Sequence, residues 1–269
     1  MIGIKVEING LAALKANLSG QAKQVAFAAS KALNAMGKGL AKRENDEIKR
    51  LFKNPVPRTE NATKVFKAAR KDDLEVVVGL DDGGGKNRMS ARGFKGTIFP
   101  AKYLAAQIAG GTRVQKRFER ALIKAGVMPE GMSAVFAKRS NALDQYGNLP
   151  ASKIVQILAW FQAFPEQGYK MNMKDRSKQS MMKGKRKGMA HGVVYFRGGK
   201  AAGLPDGIWE RHYPNGTAGK SFIRPILIYV RSATYQARFH FESIAREFVT
   251  ANWQREFNQA LRDALATAK

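Results

Sequence analysis

The chain opens on an alternation in which Ile2, Ile4 and Val6 are apolar while Lys5 and Glu7 are polar, the period of a half-buried strand. Asn9-Gly10 punctuates it. Apolar residues then recur at spacings of three and four, from Leu11, Leu14 and Leu18 through Val25, Ala29, Leu33, Met36 and Leu40 to Ile48, Leu51 and Phe52. That pattern predicts a helix of roughly forty residues, or two with a break. Gly20, Gly37 and Gly39 each weaken it by about 1 kcal/mol relative to alanine, so a bend is expected near one of them. "NPVP" at 54–57 stops the helix.

Two strands are predicted next, in "ATKVFKAAR" and "LEVVVGL", joined by the turn-like "KDD". A glycine-rich polar loop, "DDGGGKNRMSARGFKG", follows. Three helices come after it. "AKYLAAQIAGG" is ended by glycine, "VQKRFERALIKAG" gathers Phe118, Leu122 and Ile123, and "SKIVQILAWFQAF" gathers Ile154, Ile157, Leu158 and Phe161. "GVVYFRG", "GIWERHY" and "FIRPILIYV" read as strands. Residues 232–269 read as a long final helix with Ile244, Phe248, Trp253, Phe257, Leu261 and Leu265 on one side.

This order predicts an α+β fold, with long N- and C-terminal helices packed on a small, mainly antiparallel sheet. Three parts are expected: a core of strand, long helix and strand pair over 1–112, and an inserted helical region over 113–205 with a basic loop at 170–192. The third, residues 206–269, returns strands and the last helix to the first part.

Charge changes the picture more than composition does. Apolar content of 44% and 9% aromatics belong to a folded protein, but 47 Lys plus Arg against 21 Asp plus Glu leave a net charge of +26. A compact molecule so charged repels itself, and counter-charge from a partner is expected: nucleic acid, an anionic membrane or an acidic protein face. Cysteine is absent, which excludes disulfides, thiolate metal sites and cysteine nucleophiles. No signal peptide and no apolar run long enough to span a membrane are visible, so a soluble protein made in a cytoplasm is expected.

The charge concentrates in "MNMKDRSKQSMMKGKRKGMAHG", residues 171–192, which reads as too polar to pack against its apolar neighbours. Lys174, Arg176, Lys178, Lys183, Lys185, Arg186 and Lys187 lie there against one acid, Asp175. Three readings stand: a solvated loop, contact with a phosphate backbone, or docking on an acidic protein. Stacking aromatics are missing from the segment, which argues against base recognition on single strands.

Little else suggests chemistry. His191, His212 and His240 show no HExxH and no ligand-like spacing, and read as surface or satisfied core residues. No GxSxG elbow or GxxxxGK[ST] loop occurs, and "DDGGGK" lacks the helix and hydroxyl that a phosphate cradle needs. Asp72, Asp73, Glu75, Asp81 and Asp82 form one acidic cluster, in which Asp72, Asp81 and Asp82 offer a loose fit to a Mg²⁺ nuclease; a capped hairpin is the default. No enzyme and no cofactor are expected.

Three phrases in order, "NPVPRTENATKVFKAARKDDLEVVVGLDD", "PAKYLAAQIAGGTRVQKRFERALIKAGVMPEG" and "LDQYGNLPASKIVQIL", resemble tailed-bacteriophage and prophage proteins of the minor tail protein Z, or tail-completion, type. The resemblance covers roughly residues 1–165 and, more loosely, "SFIRPILIYV". It implies a structural virion protein that forms a homo-oligomeric ring, a hexamer by family resemblance, at the head-proximal end of the tail. The ring would border the DNA channel and meet tail-tube and head–tail connector proteins. It further implies that the seven basic residues of 174–187 face DNA or an acidic neighbour, and that Gly83, Gly84 and Gly85 lie in a loop ordered on assembly. A stand-alone nucleic-acid-binding protein is the alternative.

Overall fold

The computed structural model describes residues 3–7, 22–83, 98–138, 142–165, 170–184, 191–216, 219–231 and 234–267. In chain order its main elements are β1 (Gly3–Glu7), α1 (Ala22–Leu51), α2 (Pro57–Glu60), β2 (Thr63–Lys67), β3 (Glu75–Leu80), α3 (Pro100–Ala109), α4 (Arg117–Lys124), β4 (Met132–Phe136), α5 (Ala151–Trp160), α6 (Asp175–Met182), β5 (Gly192–Gly198), β6 (Gly207–Tyr213), β7 (Phe222–Arg231) and α7 (Phe241–Ala266). The fold is α+β. Two compact units divide it, one made of residues 1–111 and 235–269, the other of 112–234.

In the first unit β3 is the central strand of an antiparallel sheet, ordered β1-β3-β2. Its Val76, Val78 and Leu80 are fully buried, and α1 supplies the opposing surface with Leu33 and Leu40. Two asparagines of α1 clamp β2 at both ends. Asn45 donates to Thr63 O and accepts from Thr63 N, at 3.1 and 2.8 Å, while Asn34 exchanges the same pair of bonds with Ala69, at 2.9 Å each. Each side-chain amide thus stands in for a missing strand partner.

Among the described residues α1 is continuous through Gly37 and Gly39, so no break falls at either; Gly20, the third position at which a bend is expected, lies outside them. The glycines serve proximity, because a Cβ on Gly37 would lie 2.6 Å from Val76 Cγ2 and one on Gly39 2.8 Å from Phe248 Cζ. Along α7, Ala245 is buried with Leu33 and Leu40 of α1, and farther on Ala260 and Ala264 meet Ala28 and Ala32. Small residues at a spacing of four let the two helices approach closely. The bulky stripe expected there flanks this seam, and Leu265 is exposed.

The final helix starts at Phe241, nine positions later than its apolar spacing suggested. Residues before it are held otherwise: the amides of Arg238 and Phe239 both donate to Gln107 O at 2.9 Å, and Phe239 is fully buried beside Phe241.

The second unit carries its own antiparallel sheet, ordered β4-β7-β6-β5. One face packs on Phe118 and Leu122 of α4, Ile157 and Leu158 of α5, and Met181 of α6. A register shift opposite Ile208 and Trp209 accommodates Pro225, which cannot donate to a regular ladder. The strands at 207–213 and 222–231 therefore do not return to the first sheet, as their place late in the chain suggested. They complete this one, and the unit runs to Thr234.

Candidate functional site

The basic segment is not merely a loop. Its first half folds as α6, with Asp175 in the first turn where a carboxylate favours the helix dipole. The helix packs, against expectation. Met181 is fully buried, Met173 is nearly so, and the Met173 amide donates to Ala159 O at 2.8 Å. Two methionine side chains anchor a stretch whose charges mask its apolar positions in the sequence.

That anchoring sorts the predicted basic residues. Arg176 and Lys183, two turns apart, are exposed together, as is Lys174 just before the helix. Lys178 is half-buried and holds its ammonium 5.6 Å from the Trp160 ring centre. Lys185, Arg186 and Lys187 lie outside the described residues. So do Gly84 and Gly85. Gly83 is described and already fixed in the single chain: its φ is +82°, its amide donates to Asp81 Oδ1 at 3.1 Å, and a Cβ would collide with the Phe99 ring.

Behind α6 runs a chain of polar contacts with no signature in the sequence. Gln156 of α5 donates to Met181 Sδ at 3.6 Å and accepts from the Tyr195 hydroxyl at 2.7 Å. The Lys153 ammonium sits 4.9 Å from the Tyr195 ring centre and donates to Glu210 Oε2 at 2.8 Å. Glu210 Oε1 lies 2.8 Å from His212 Nε2, without the alignment of a full hydrogen bond. His212 Nδ1 is 2.6 Å from His191 Nε2, and Phe222 stacks on the His212 ring at 4.8 Å.

Local topology makes this constellation. β5 and β6 pair antiparallel with Val193 opposite His212 and Tyr195 opposite Glu210, so the start of one strand meets the end of the other. The alternation in "GIWERHY" puts Ile208, Glu210 and His212 on one side. Reading that hairpin from the two glycine-led strands could have paired the histidines.

Burial works against the charge on Glu210, but the Lys153 ammonium and then His212 outweigh it and hold the carboxyl below its usual range. Burial lowers His212, with His191 and Arg224 adding to the effect and Glu210 opposing it. Burial also pushes the Tyr195 phenol far up, and Glu210 adds to that. The network is a structural polar chain, with a neutral phenol and a paired carboxylate.

The acidic cluster of the first unit comes apart. Asp72 is exposed before β3 and Asp81 follows that strand, so six strand residues separate them, roughly 20 Å. Asp81 is spent on Lys64 at 2.7 Å and on the Gly83 amide, Asp73 on Lys67, and Glu75 on Lys5 and Lys67. Asp72 and Asp81 cannot share a cation. Among the described residues no group of three His, Cys, Asp or Glu is placed to hold a metal ion. No described helix is long and apolar enough to cross a membrane. Compared with protein-family models, curated proteins and solved structures, the chain matches none.

Proposed function

We propose that this chain is a structural protein that binds polyanions, acting in a tailed-phage or prophage particle as a tail-completion or neck component arranged as a ring around the DNA path. One observation carries the reading. With 47 basic and 21 acidic side chains, pairing every acid inside the molecule still leaves 26 positive charges without a partner. Many acids are already committed to internal pairs, as Asp81, Glu119, Glu210 and Asp263 are. The surplus has to be met from outside.

The exposed trio Lys174, Arg176 and Lys183, on and at either end of a well-anchored helix, supports phosphate contact without base reading, which suits a conduit for arbitrary sequence. The particle assignment rests on the resemblance of residues 1–165. A stand-alone DNA-binding protein shares the charge and differs in assembly.

The test replaces Lys174, Arg176, Lys183, Lys185, Arg186 and Lys187 with Ser in the phage or prophage genome. Folded protein with reduced particle yield or reduced DNA delivery is the expected result. Unchanged infectivity would remove the segment from the function. Sedimentation of the purified wild-type chain separates the two settings: rings formed with tail-tube protein support the particle role, and tight duplex binding by a lone monomer supports the alternative.

A further inference from the structure

The His191–His212 contact stands at the point where the basic segment re-enters the fold. His191 is the residue just before β5, and Gly192 packs so tightly that a Cβ there would overlap Met182 O. The last turn of α6 and the first residue of β5 are thus pressed together, and the side-chain contact at 2.6 Å ties the neighbouring His191 to His212 at the end of β6.

Protonation states follow from the surroundings. The Glu210 carboxylate faces His212 Nε2, which favours a proton on that nitrogen and leaves Nδ1 as the acceptor. His191 Nε2 then donates to it. A proton added to either ring still leaves one N–H pointing at one lone pair, because the partner can change tautomer. A second added proton puts two N–H groups head to head at 2.6 Å, and no hydrogen bond is possible.

Surrounding charges pull in both directions. Glu210 on β6 is the carboxylate that faces the pair, and Lys153 on α5 already shares it. On β7 the Arg224 guanidinium lies 4.7 Å from the centre of the Phe222 ring that stacks on His212. The pair therefore meets one anion, half-neutralised by Lys153, and one permanent cation, Arg224, before either imidazole gains charge.

We propose that His191 and His212 form a proton-operated clasp on the C-terminal root of the basic segment, closed with at most one added proton and opened by the second. Opening frees the junction with β5 and adds positive charge beside it. Acidification would thus release His191 from β6 and make the start of β5 more cationic. This goes beyond the polyanion reading and stands or falls separately from it.

Hydrogen exchange on the full chain, corrected for the intrinsic pH dependence, tests the clasp. Between pH 7.5 and 5, wild-type amides of 191–194 should lose protection about tenfold or more while those of 226–229 keep theirs. In His191→Gln the side-chain amide still donates to His212 Nδ1 but cannot titrate, and protection at 191–194 should persist at pH 5. Unchanged wild-type protection would overturn the proposal. So would an equal loss in His191→Gln, or a loss shared by 226–229, which would mark general unfolding.

Discussion

Gly37 of α1 faces Val76 of β3 so closely that the first carbon of any side chain would sit 2.6 Å from Val76 Cγ2. Val76 is fully buried on the central strand and β-branched, so it has no room to turn aside. Gly37→Ala gains about 1 kcal/mol of helix propensity and loses more to overpacking, about 1–3 kcal/mol. Net destabilisation is expected by denaturant titration. Gly39→Ala meets instead the edge of the half-buried Phe248 ring, which can swing, and should stay within about 1 kcal/mol of wild type. A Gly37→Ala chain as stable as Gly39→Ala would show that β3 is free to shift.

Glu44 lies on the inner side of α1 one turn from Leu40 and from Ile48, and is fully buried. Neither carboxyl oxygen meets a hydrogen-bond partner among the described residues. Burial pushes the group up to about 8, partly offset by Arg43 and reinforced by Glu47. The folded chain therefore keeps a proton that the unfolded chain releases near the ordinary carboxylate value. Stability is full below that value and falls by about 1.4 kcal/mol per pH unit up to the folded value. Glu44→Gln should remove this slope between pH 5 and 8, as read from melting temperature against pH. An unchanged slope would place the titration elsewhere.

Glu119 behaves in the opposite sense. It is fully buried and accepts from Arg113 at 2.9 and 2.5 Å, from the Lys116 amide at 2.6 Å and from the Ala134 amide at 2.8 Å. Burial would raise the carboxyl, but Arg113 and the two amides together hold it below its usual range. Its contribution is present above that range and is lost as pH falls through the lowered value. Glu119→Ala removes the carboxylate shared by the Arg113 guanidinium and two amides, and should cost about 3–5 kcal/mol. Calorimetry of the full chain should show it; a loss under about 1 kcal/mol would mean that water replaces the carboxylate.

Salt reads the basic surface. If wild type binds duplex DNA, changing Arg176 and Lys183 to Ser should flatten the dependence of log affinity on log salt by about 1 for each phosphate no longer neutralised. The weakening should be alike across DNA sequences. A change confined to one sequence would argue for base contact instead.

The secondary elements were largely legible because their cues are local. β2, β3, β5, β6 and β7 follow from runs of β-branched and aromatic residues, and α5 from the spacing of Ile154, Ile157 and Leu158. Elements set by distant partners were not. β4, "MSAVF", has a weak strand signal and is fixed by pairing with β7 almost a hundred residues on. α6 was hidden because two buried methionines do the anchoring among many charges. The membership of β6 and β7 is not legible locally because pairing partners, not strand propensities, decide which sheet a strand joins. The histidine contact is of the same kind, since it depends on the register of β5 against β6.

The first unit is assembled from the two ends of the chain, and the second is one uninterrupted stretch. During synthesis residues 112–234 can close up as soon as they clear the ribosome, while Ala28 and Ala32 wait for Ala260 and Ala264, which are made after that stretch. Premature termination therefore harms the half that was translated first: a transcript cut short after 234 yields a finished insert attached to an N-terminal helix whose alanine seam has nothing to close on.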